Sequence, residues 1–144
     1  MITNKTEYLI FILINLALRK DKDYISSRKI AVEEDIPVKY IPQLISVLSK
    51  KGWLDSARGI NGGVRLAISP EEISVWQVAL EADKAFYFKD CLQQECVLDK
   101  DSCELKALWQ QVQTKIKTTL QRKNIADLAR ERSTGKIKVK NIED

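Results

Sequence analysis

The chain is 144 residues long, 44% hydrophobic and 31% charged. This balance is typical of a folded globular protein and excludes a disordered chain, and the length suffices for one domain with a buried core. The net charge of +4 permits a polyanionic partner without requiring one. Because the chain contains no histidine, enzymes that pair a serine or cysteine nucleophile with a histidine base are excluded.

Positive charge is concentrated between Arg19 and Arg65. Ten Lys and Arg residues stand there against six Asp and Glu residues, so this stretch carries the whole net charge. The longest apolar run, residues 8–18, is too short to span a bilayer, and neither a basic leader nor a cleavage site accompanies it. We therefore expect a cytoplasmic protein without a membrane segment, whose thiols stay reduced.

Apolar residues predict a first helix over about residues 4–19, capped at position 3 or 4. Two short helices follow. The first can be capped by Ser26 or Ser27, and the second has apolar residues at 41, 44, 45 and 48, the spacing of one buried stripe. Pro42 is compatible with a helix only in its first turn, so the second helix begins no earlier than about residue 37 or 38.

The stretch RGINGG, residues 58–63, predicts the tip of a β-hairpin, because Asn61, Gly62 and Gly63 tolerate the positive φ angles of a tight turn. A further helix, capped by Ser74, follows in ISVWQVALEAD. Helix, turn, helix and then a basic β-hairpin is the element order of a winged helix-turn-helix. The predicted fold class is therefore mainly α with a small β-hairpin wing.

A long amphipathic helix is predicted after the cysteines. Its apolar residues stand at 105, 108, 109, 112, 116 and 120, and the winged domain leaves little surface to cover this stripe. Such a seam usually packs against a second copy of the chain, so we expect a homodimer. The predicted organisation is a DNA-binding winged helix-turn-helix domain over residues 1–82, whose first helix also lies at the dimer interface, a cysteine loop over 83–104, a dimerisation helix over 105–130 and a flexible tail over 131–144.

Polar and basic side chains on the predicted reading helix and wing indicate DNA binding. Those of the helix have the reach to meet base edges and phosphates, and a wing arginine can enter a minor groove or hold a phosphate. A dimer would place two reading helices about 34 Å apart on a pseudo-palindromic duplex operator. The alternative is a basic winged-helix face that binds protein. The candidate DNA contacts are Ser26, Arg28, Lys39, Tyr40, Gln43, Ser46, Arg58, Asn61, Gly62 and Arg65.

All three cysteines lie in CLQQECVLDKDSC, residues 91–103. In a reduced compartment, an odd and clustered set of thiols more often binds metal than forms disulfides. Three interpretations stay open from the residues alone: a metal site, zinc included, a directly oxidised thiol sensor, and buried apolar thiols. The polar Gln- and Asp-rich surroundings disfavour the buried-core interpretation.

Three stretches together resemble the IscR/NsrR family of bacterial winged-helix regulators. NKTEYLIFILINLAL resembles the family's opening helix, and IPVKYIPQLISVLSKKGWLDSARGINGGVRLAISPEEISVWQV resembles its recognition helix, Gly-rich wing and following helix. The pattern C-x4-C-x6-C followed by ELKALWQQVQTKI resembles its cysteine loop and dimer helix. The resemblance, over about residues 3–129, implies a homodimeric transcription factor, usually a repressor. Many members of the family ligate an iron–sulfur cluster through three cysteines, and others lack these cysteines.

The resemblance implies that Cys91, Cys96 and Cys103 are the cluster thiolates, for a [2Fe-2S] or [4Fe-4S] cluster, although the first gap is slightly short for the family. One relative uses a histidine as fourth ligand, but Glu104 follows Cys103 here. Another branch uses a carboxylate from the first helix of the opposite subunit, and Glu7 matches that position. The alternative is that Glu7 is an exposed carboxylate in the first turn of the helix, where its negative charge interacts favourably with the helix dipole. The competing carboxylates are Glu95, Asp99, Asp101 and Glu104.

Two positions depart from the family pattern. Pro42 stands where many relatives carry an acidic residue that helps to select the operator, so the operator preference is expected to differ. The wing sequence INGGV replaces the more usual proline-glycine and tyrosine, which changes the contacts of the hairpin tip while the glycines preserve the hairpin.

The resulting hypothesis is a homodimeric transcriptional regulator, acting as a repressor, that senses redox state, nitric oxide or iron–sulfur status through its cluster. A cluster-free cysteine thiol switch on the same fold is the alternative. An enzyme is not expected, because the sequence has neither a Gly-rich phosphate loop nor paired carboxylates with a pocket signature.

Overall fold

A computed structural model describes residues 2–20, 22–84, 86–92 and 103–135. Six α-helices and one hairpin form this part of the chain, and short 3-10 turns stand at Val38–Tyr40, Pro70–Glu72 and Asp90–Leu92. This architecture confirms the predicted fold class, mainly α with a β-hairpin wing in a winged helix-turn-helix order. The helices and strands are α1 (Asn4–Ala17), α2 (Ser27–Glu33), α3 (Ile41–Lys50), β1 (Leu54–Ala57), β2 (Gly63–Leu66), α4 (Val75–Asp83), α5 (Glu104–Gln121) and α6 (Ile125–Thr134).

Helix α1 forms the centre of the core. Thr3 is its N-cap and accepts a hydrogen bond from the Thr6 backbone N–H at 3.5 Å, as the sequence predicts. Leu9, Ile12 and Leu13 are fully buried, and the helix ends at Ala17, two residues before the predicted end. The burial of these side chains accounts for the apolar run that could be mistaken for a membrane segment. No helix in the described part of the chain is long and apolar enough to cross a bilayer.

Helices α2 and α3 form the helix-turn-helix. Ile41, Leu44 and Leu48 of α3 are buried, which confirms the predicted stripe. Pro42 is the second residue of α3, where its missing N–H has no intrahelical acceptor. Ser26 is the N-cap of α2, but its side chain makes no capping hydrogen bond.

The wing consists of β1, β2 and the connecting residues 58–62. The strands pair antiparallel from Leu54 opposite Leu66 to Ala57 opposite Gly63. The predicted tip geometry is partly wrong, because positive φ angles occur at Gly59 and Gly63 and not at Asn61 or Gly62. The φ of Gly59 is 104° and that of Gly63 is 143°.

The wing is also joined to the start of α2. Val64 pairs with Ile25 through two backbone hydrogen bonds of 3.0 and 2.8 Å. A Cβ at Gly63 would lie 2.0 Å from the Ile25 carbonyl oxygen. A glycine is therefore required at position 63 both by its φ angle and by the close approach of the Ile25 backbone.

The predicted single helix over residues 105–130 is wrong. Helix α5 ends at Gln121, and a capping box starts α6: Asn124 accepts from the Asp127 N–H at 2.8 Å, and Asp127 accepts from the Asn124 N–H at 3.1 Å. Ile125 and Ala129 of α6 are buried in the main core. Helix α6 therefore packs on the winged-helix core, and the part of the predicted tail up to residue 134 is helical. Residues 136–144 lie outside the described part.

Helix α5 packs against α4 and Phe86 through its second half. Ile116 and Leu120 contact a small cluster with Trp76 of α4 and Phe86. In the first half, Leu105 and Leu108 are 54% and 47% exposed. The described chain thus leaves part of the α5 apolar stripe uncovered.

Candidate nucleic-acid interface and cysteine site

The predicted reading helix presents an ordered polar face. Tyr40 and Gln43 are exposed at the start of α3, and Ser46, one turn further, is half-buried. The Tyr40 ring stacks on Tyr8 of α1 at a centroid distance of 6.2 Å, and the Lys39 Nζ lies 5.0 Å from the Tyr40 centroid. These contacts hold Lys39 and Tyr40 beside Gln43, so the structure brings together the residues predicted for this helix.

The wing tip presents one free cation and an exposed apolar side chain. Arg58 is exposed and makes no ion pair with any described residue. Ile60 is fully exposed, and Asn61 beside it is exposed as well. Gly62 packs against the hairpin itself, because a Cβ there would lie 2.3 Å from the Ala57 carbonyl oxygen.

Arg65, the second arginine predicted for the wing, is engaged within the protein. Its Nη1 donates to the Lys22 carbonyl oxygen at 3.2 Å, and its guanidinium carbon lies 4.5 Å from the Tyr24 ring centroid. Its Nε is also 3.7 Å from the Asp55 carboxylate. Arg65 therefore fixes the base of the wing against the chain before α2, unlike Arg58.

A polar groove separates the wing tip from the chain that leads into α2. Ser26 lines it, and Arg28 stands exposed on the first turn of α2. Lys20, Lys29 and Ile60 also line this groove but are not among the predicted DNA contacts. The concentration of positive charge between residues 19 and 65 was a signal for the two lysines, and no sequence signal pointed to Ile60. The lining residues include Arg19, Lys20, Lys29, Asp23, Ser26, Ile60, Asn61 and Gly62.

Arg19 is held by a network that joins three helices. Its Nη2 donates to Glu33 at 2.6 Å and to the Asn15 side-chain oxygen at 3.1 Å. Asn15, nearly fully buried, donates to both Glu33 and Glu34 at 2.9 Å. The hydrogen bond from Asn15 is the main cause that lowers the pKa of the Glu33 carboxyl, with a further contribution from Arg19. Arg132 of α6 completes the network through a 2.7 Å ion pair with Glu34.

Two of the three cysteines lie in the described part of the chain. Cys91 belongs to the turn Asp90–Leu92, and Cys103 is the N-cap of α5. Both are half-buried and free of disulfides. Cys96 lies outside the described residues, as do the competing carboxylates Glu95, Asp99 and Asp101.

The predicted carboxylate ligand is in the first turn of α1. Glu7 is exposed there, and Glu104, its described competitor, is exposed at the first position of α5. Among the described residues, no three Cys, Asp or Glu side chains stand close enough to hold a metal ion. Two half-exposed thiols nevertheless fit the donor chemistry of a thiolate site, since thiolates are the ligands that iron–sulfur clusters require.

The chain is similar to known transcriptional regulators. The sequence profile of a family described as "Rrf2: Iron-dependent Transcriptional regulator" matches residues 2–131. The HTH-type transcriptional regulator NsrR of Bacillus licheniformis is 32% identical over 108 residues, 73% of this chain and 75% of that protein. The structure of T. potens IscR has 26% sequence identity and a TM-score of 0.75, over 95% of this chain and 91% of that one.

A second solved structure is similar over nearly the same length. The oxidized form of Staphylococcus aureus CymR has 26% sequence identity and a TM-score of 0.74, over 90% of this chain and 95% of that one. Together these similarities confirm the resemblance predicted from the three sequence stretches, and they confirm that the chain is of a regulator type rather than an enzyme.

Proposed function

Because the chain belongs to the Rrf2 family, described as iron-dependent transcriptional regulators, we propose that it is a homodimeric repressor whose operator affinity is set by an iron–sulfur cluster. Transcription regulation follows from the family. The homodimer, the cluster, the repressing action and a cytoplasmic location are the proposal. The observation that carries DNA reading is the set of exposed polar and basic side chains on the helix-turn-helix and the wing. Tyr40 and Gln43 are exposed at the start of α3, and Arg58 is exposed on the wing without an ion-pair partner among the described residues.

Electrostatics supports a duplex as the partner of this surface. Arg58 has no carboxylate partner among the described residues, and Lys20 and Lys29 line the adjoining groove. Cations without internal partners can neutralise phosphates and release their counterions. Gln43 can then donate and accept at base edges in the major groove.

Substitution of Arg58 tests DNA binding. Arg58→Ala should weaken operator binding about tenfold and lower the salt slope of the affinity by about one, because one phosphate contact is lost. Lys115→Ala removes a cation that is also exposed, on α5, and should leave the affinity unchanged. The measurement is fluorescence anisotropy of a labelled operator over a salt series. Equal affinities of the two variants would contradict the proposed interface.

The second copy of the chain is the proposed occupant of the uncovered part of α5. Leu105 and Leu108 lie on the same helix as the half-buried Trp109 and Val112, and an exposed apolar stripe of this length favours a partner helix. In the dimer, the two copies of α3 would lie about 34 Å apart, the spacing of successive major grooves on one side of a duplex.

Cysteine thiolates are the proposed ligands of the cluster. Cys91 and Cys103 would supply two of them from the described structure, Cys96 the third, and Glu7 of a second copy the fourth ligand through a carboxylate oxygen. When bound there, a cluster supplies a redox-active and chemically reactive centre. Cys103 immediately precedes α5, so binding or loss of the cluster at its thiolate would directly affect the N-terminus of the proposed dimer helix.

Protein purified without oxygen tests the ligand set. We expect a coloured protein with bound iron and sulfide, a changed absorption spectrum in Glu7→Ala and an intact dimer in that variant. If Glu104→Ala changes the spectrum and Glu7→Ala does not, the carboxylate assignment is wrong. A coupling of roughly 1–3 kcal/mol would make operator affinity differ about 5- to 150-fold between the loaded and cluster-free proteins, and equal affinities would reject the switch.

A cluster-free thiol switch is the second candidate function. The half-exposed, disulfide-free Cys91 and Cys103 favour it, and so does the similarity to a regulator solved in an oxidized form. Its signature would be a colourless, iron-free protein that still binds the operator and loses this binding on thiol oxidation.

A further inference from the structure

Gln113, in the middle of α5, holds the chain that leads to Cys91. Its Nε2 donates to the Phe86 carbonyl oxygen at 2.8 Å, and its Oε1 accepts from the Phe88 backbone N–H at 2.7 Å. The side-chain amide therefore bonds one acceptor and one donor that stand two residues apart, as a neighbouring β-strand would. Two such bonds fix both the position and the rotation of this segment on α5.

Aromatic contacts set the direction in which the segment runs. The Phe88 ring lies 5.5 Å from Trp109 of α5, one turn before Gln113, and the Phe86 ring lies edge-on to Trp76 at 5.7 Å. From Phe86 to Phe88 the chain thus runs along α5 toward the N-terminus of that helix.

This direction leads toward the other described thiol. The turn Asp90–Leu92, which contains Cys91, contacts α5 as well. Cys103 caps α5 six residues before Trp109, roughly 9 Å along the helix axis. The segment from Phe86 onward, docked on α5, therefore carries Cys91 toward the end of the helix that Cys103 occupies.

We propose that Gln113 is a positioning residue for the thiol site: it docks residues 86–92 on α5 so that the thiols of Cys91 and Cys103 serve one metal centre. This inference rests on the proposed thiol site. Without the amide, the Phe86 carbonyl and the Phe88 N–H would bond to water instead. Phe86 is buried, but Phe88 is 44% exposed, so packing alone would hold the Phe88 end of the segment less firmly than the Phe86 end.

Gln113→Met tests the amide, because methionine keeps the length and shape of the side chain without its hydrogen bonds. The full chain, reduced and metal-free, is titrated with Co(II), and the thiolate-to-cobalt absorption band reports binding. Loss of two hydrogen bonds should weaken Co(II) binding about tenfold. Gln111→Met, on the same helix with an exposed side chain, is the matched control and should bind as the unchanged protein does.

Two further measurements separate positioning from a general loss of structure. Amide hydrogen exchange at Phe88 should accelerate about tenfold in Gln113→Met. The operator affinity of the metal-free protein should stay unchanged, because α2, α3 and the wing are intact. Gln113→Glu keeps an acceptor for the Phe88 N–H but loses the donor to Phe86, and it should also bind Co(II) more weakly than the unchanged protein.

The outcomes distinguish this inference from the function on which it rests. A thiolate band in the unchanged protein with equal Co(II) affinity in Gln113→Met overturns the positioning role and leaves the thiol site standing. The absence of any thiolate band in the unchanged protein overturns both. If Gln111→Met weakens Co(II) binding as much as Gln113→Met does, the effect is not specific to Gln113, and this result also overturns its positioning role.

Discussion

Replacement of Gly63 by alanine should detach the wing from the helix-turn-helix. The φ angle of Gly63 is 143°, in a region that residues with a Cβ rarely adopt. The added Cβ would also lie 2.0 Å from the Ile25 carbonyl oxygen and 2.8 Å from the Ser26 nitrogen, both backbone atoms. The bridge between Ile25 and Val64, with its two hydrogen bonds, must therefore open.

The size of the effect follows from these two causes. Backbone strain at such a φ costs about 1–3 kcal/mol, and each hydrogen bond of the bridge contributes about 1 kcal/mol net. Substitution of Gly59 separates the strain from the loss of the hydrogen bonds, since the φ of Gly59 is 104° but a Cβ there meets nothing within 4 Å. We expect Gly59→Ala to cost only the strain, and Gly63→Ala to cost about 2 kcal/mol more.

Thermal unfolding followed by circular dichroism measures both variants. For a chain of this length, the additional cost should lower the midpoint of Gly63→Ala by roughly 5–10 °C relative to Gly59→Ala. Operator binding below both midpoints should also be weaker in Gly63→Ala, because Arg58 on the wing loses its position relative to α2. Equal midpoints and equal operator affinities in the two variants would refute the reasoning from the Ile25 contact.

Three further predictions concern stability and assembly. Arg132→Met should lower the free energy of unfolding by about 1–3 kcal/mol, measured in urea, because the Glu34 side chain is only 9% exposed and loses its ion-pair partner. Glu33→Gln should reduce the loss of stability on acidification. The Asn15 hydrogen bond lowers the pKa of the Glu33 carboxyl below its ordinary value of 4.5. The stabilisation by the ionised carboxylate is therefore present above about pH 4.5 and is lost as the pH falls through the lower pKa of the folded protein. Leu108→Lys should shift the sedimentation coefficient from that of a dimer toward that of a monomer, because a charge would replace an exposed apolar residue of α5.

Matched controls exist for these changes. Arg130→Met removes an exposed arginine of the same helix α6, paired with Asp127, and should change the free energy of unfolding by less than about 0.5 kcal/mol. Lys106→Glu alters the charge of α5 without touching its apolar stripe and should leave the sedimentation coefficient unchanged. A monomeric unchanged protein, or a dimeric Leu108→Lys, would contradict the assignment of α5 to the interface.

Local signals in the sequence were sufficient for the starts of α1 and α4 and for helix α3. The caps at Thr3 and Ser74, the position of Pro42 in the first turn of α3 and the apolar stripe of that helix all appear in the structure as predicted. Capping and apolar periodicity depend on residues within one or two turns of each other, so they can be recognised without the fold.

The end of α5 shows where local reasoning failed. The apolar stripe over residues 105–120 led to the prediction of one helix over 105–130, although Asn124 and Asp127 carry a capping pattern that starts a second. Burial of Ile125 and Ala129 against the core with α1 decided the outcome. The spacing of apolar residues does not determine which surface covers them. Leu120 packs on the small cluster with Trp76 and Phe86, whereas Ile125 packs in the main core.

The two wing arginines and Gln113 show what only the tertiary structure decided. The sequence by itself determined the kinds of groups available: three clustered thiols, no histidine, and a basic stretch that carries the net charge. It could not separate Arg58, exposed at the tip, from Arg65, which bonds to Lys22 forty-three positions away. Nor could it show that Gln113 bonds Phe86 and Phe88. Such contacts join segments that are distant in sequence, and burial of the shared core, rather than any local preference, brings them together.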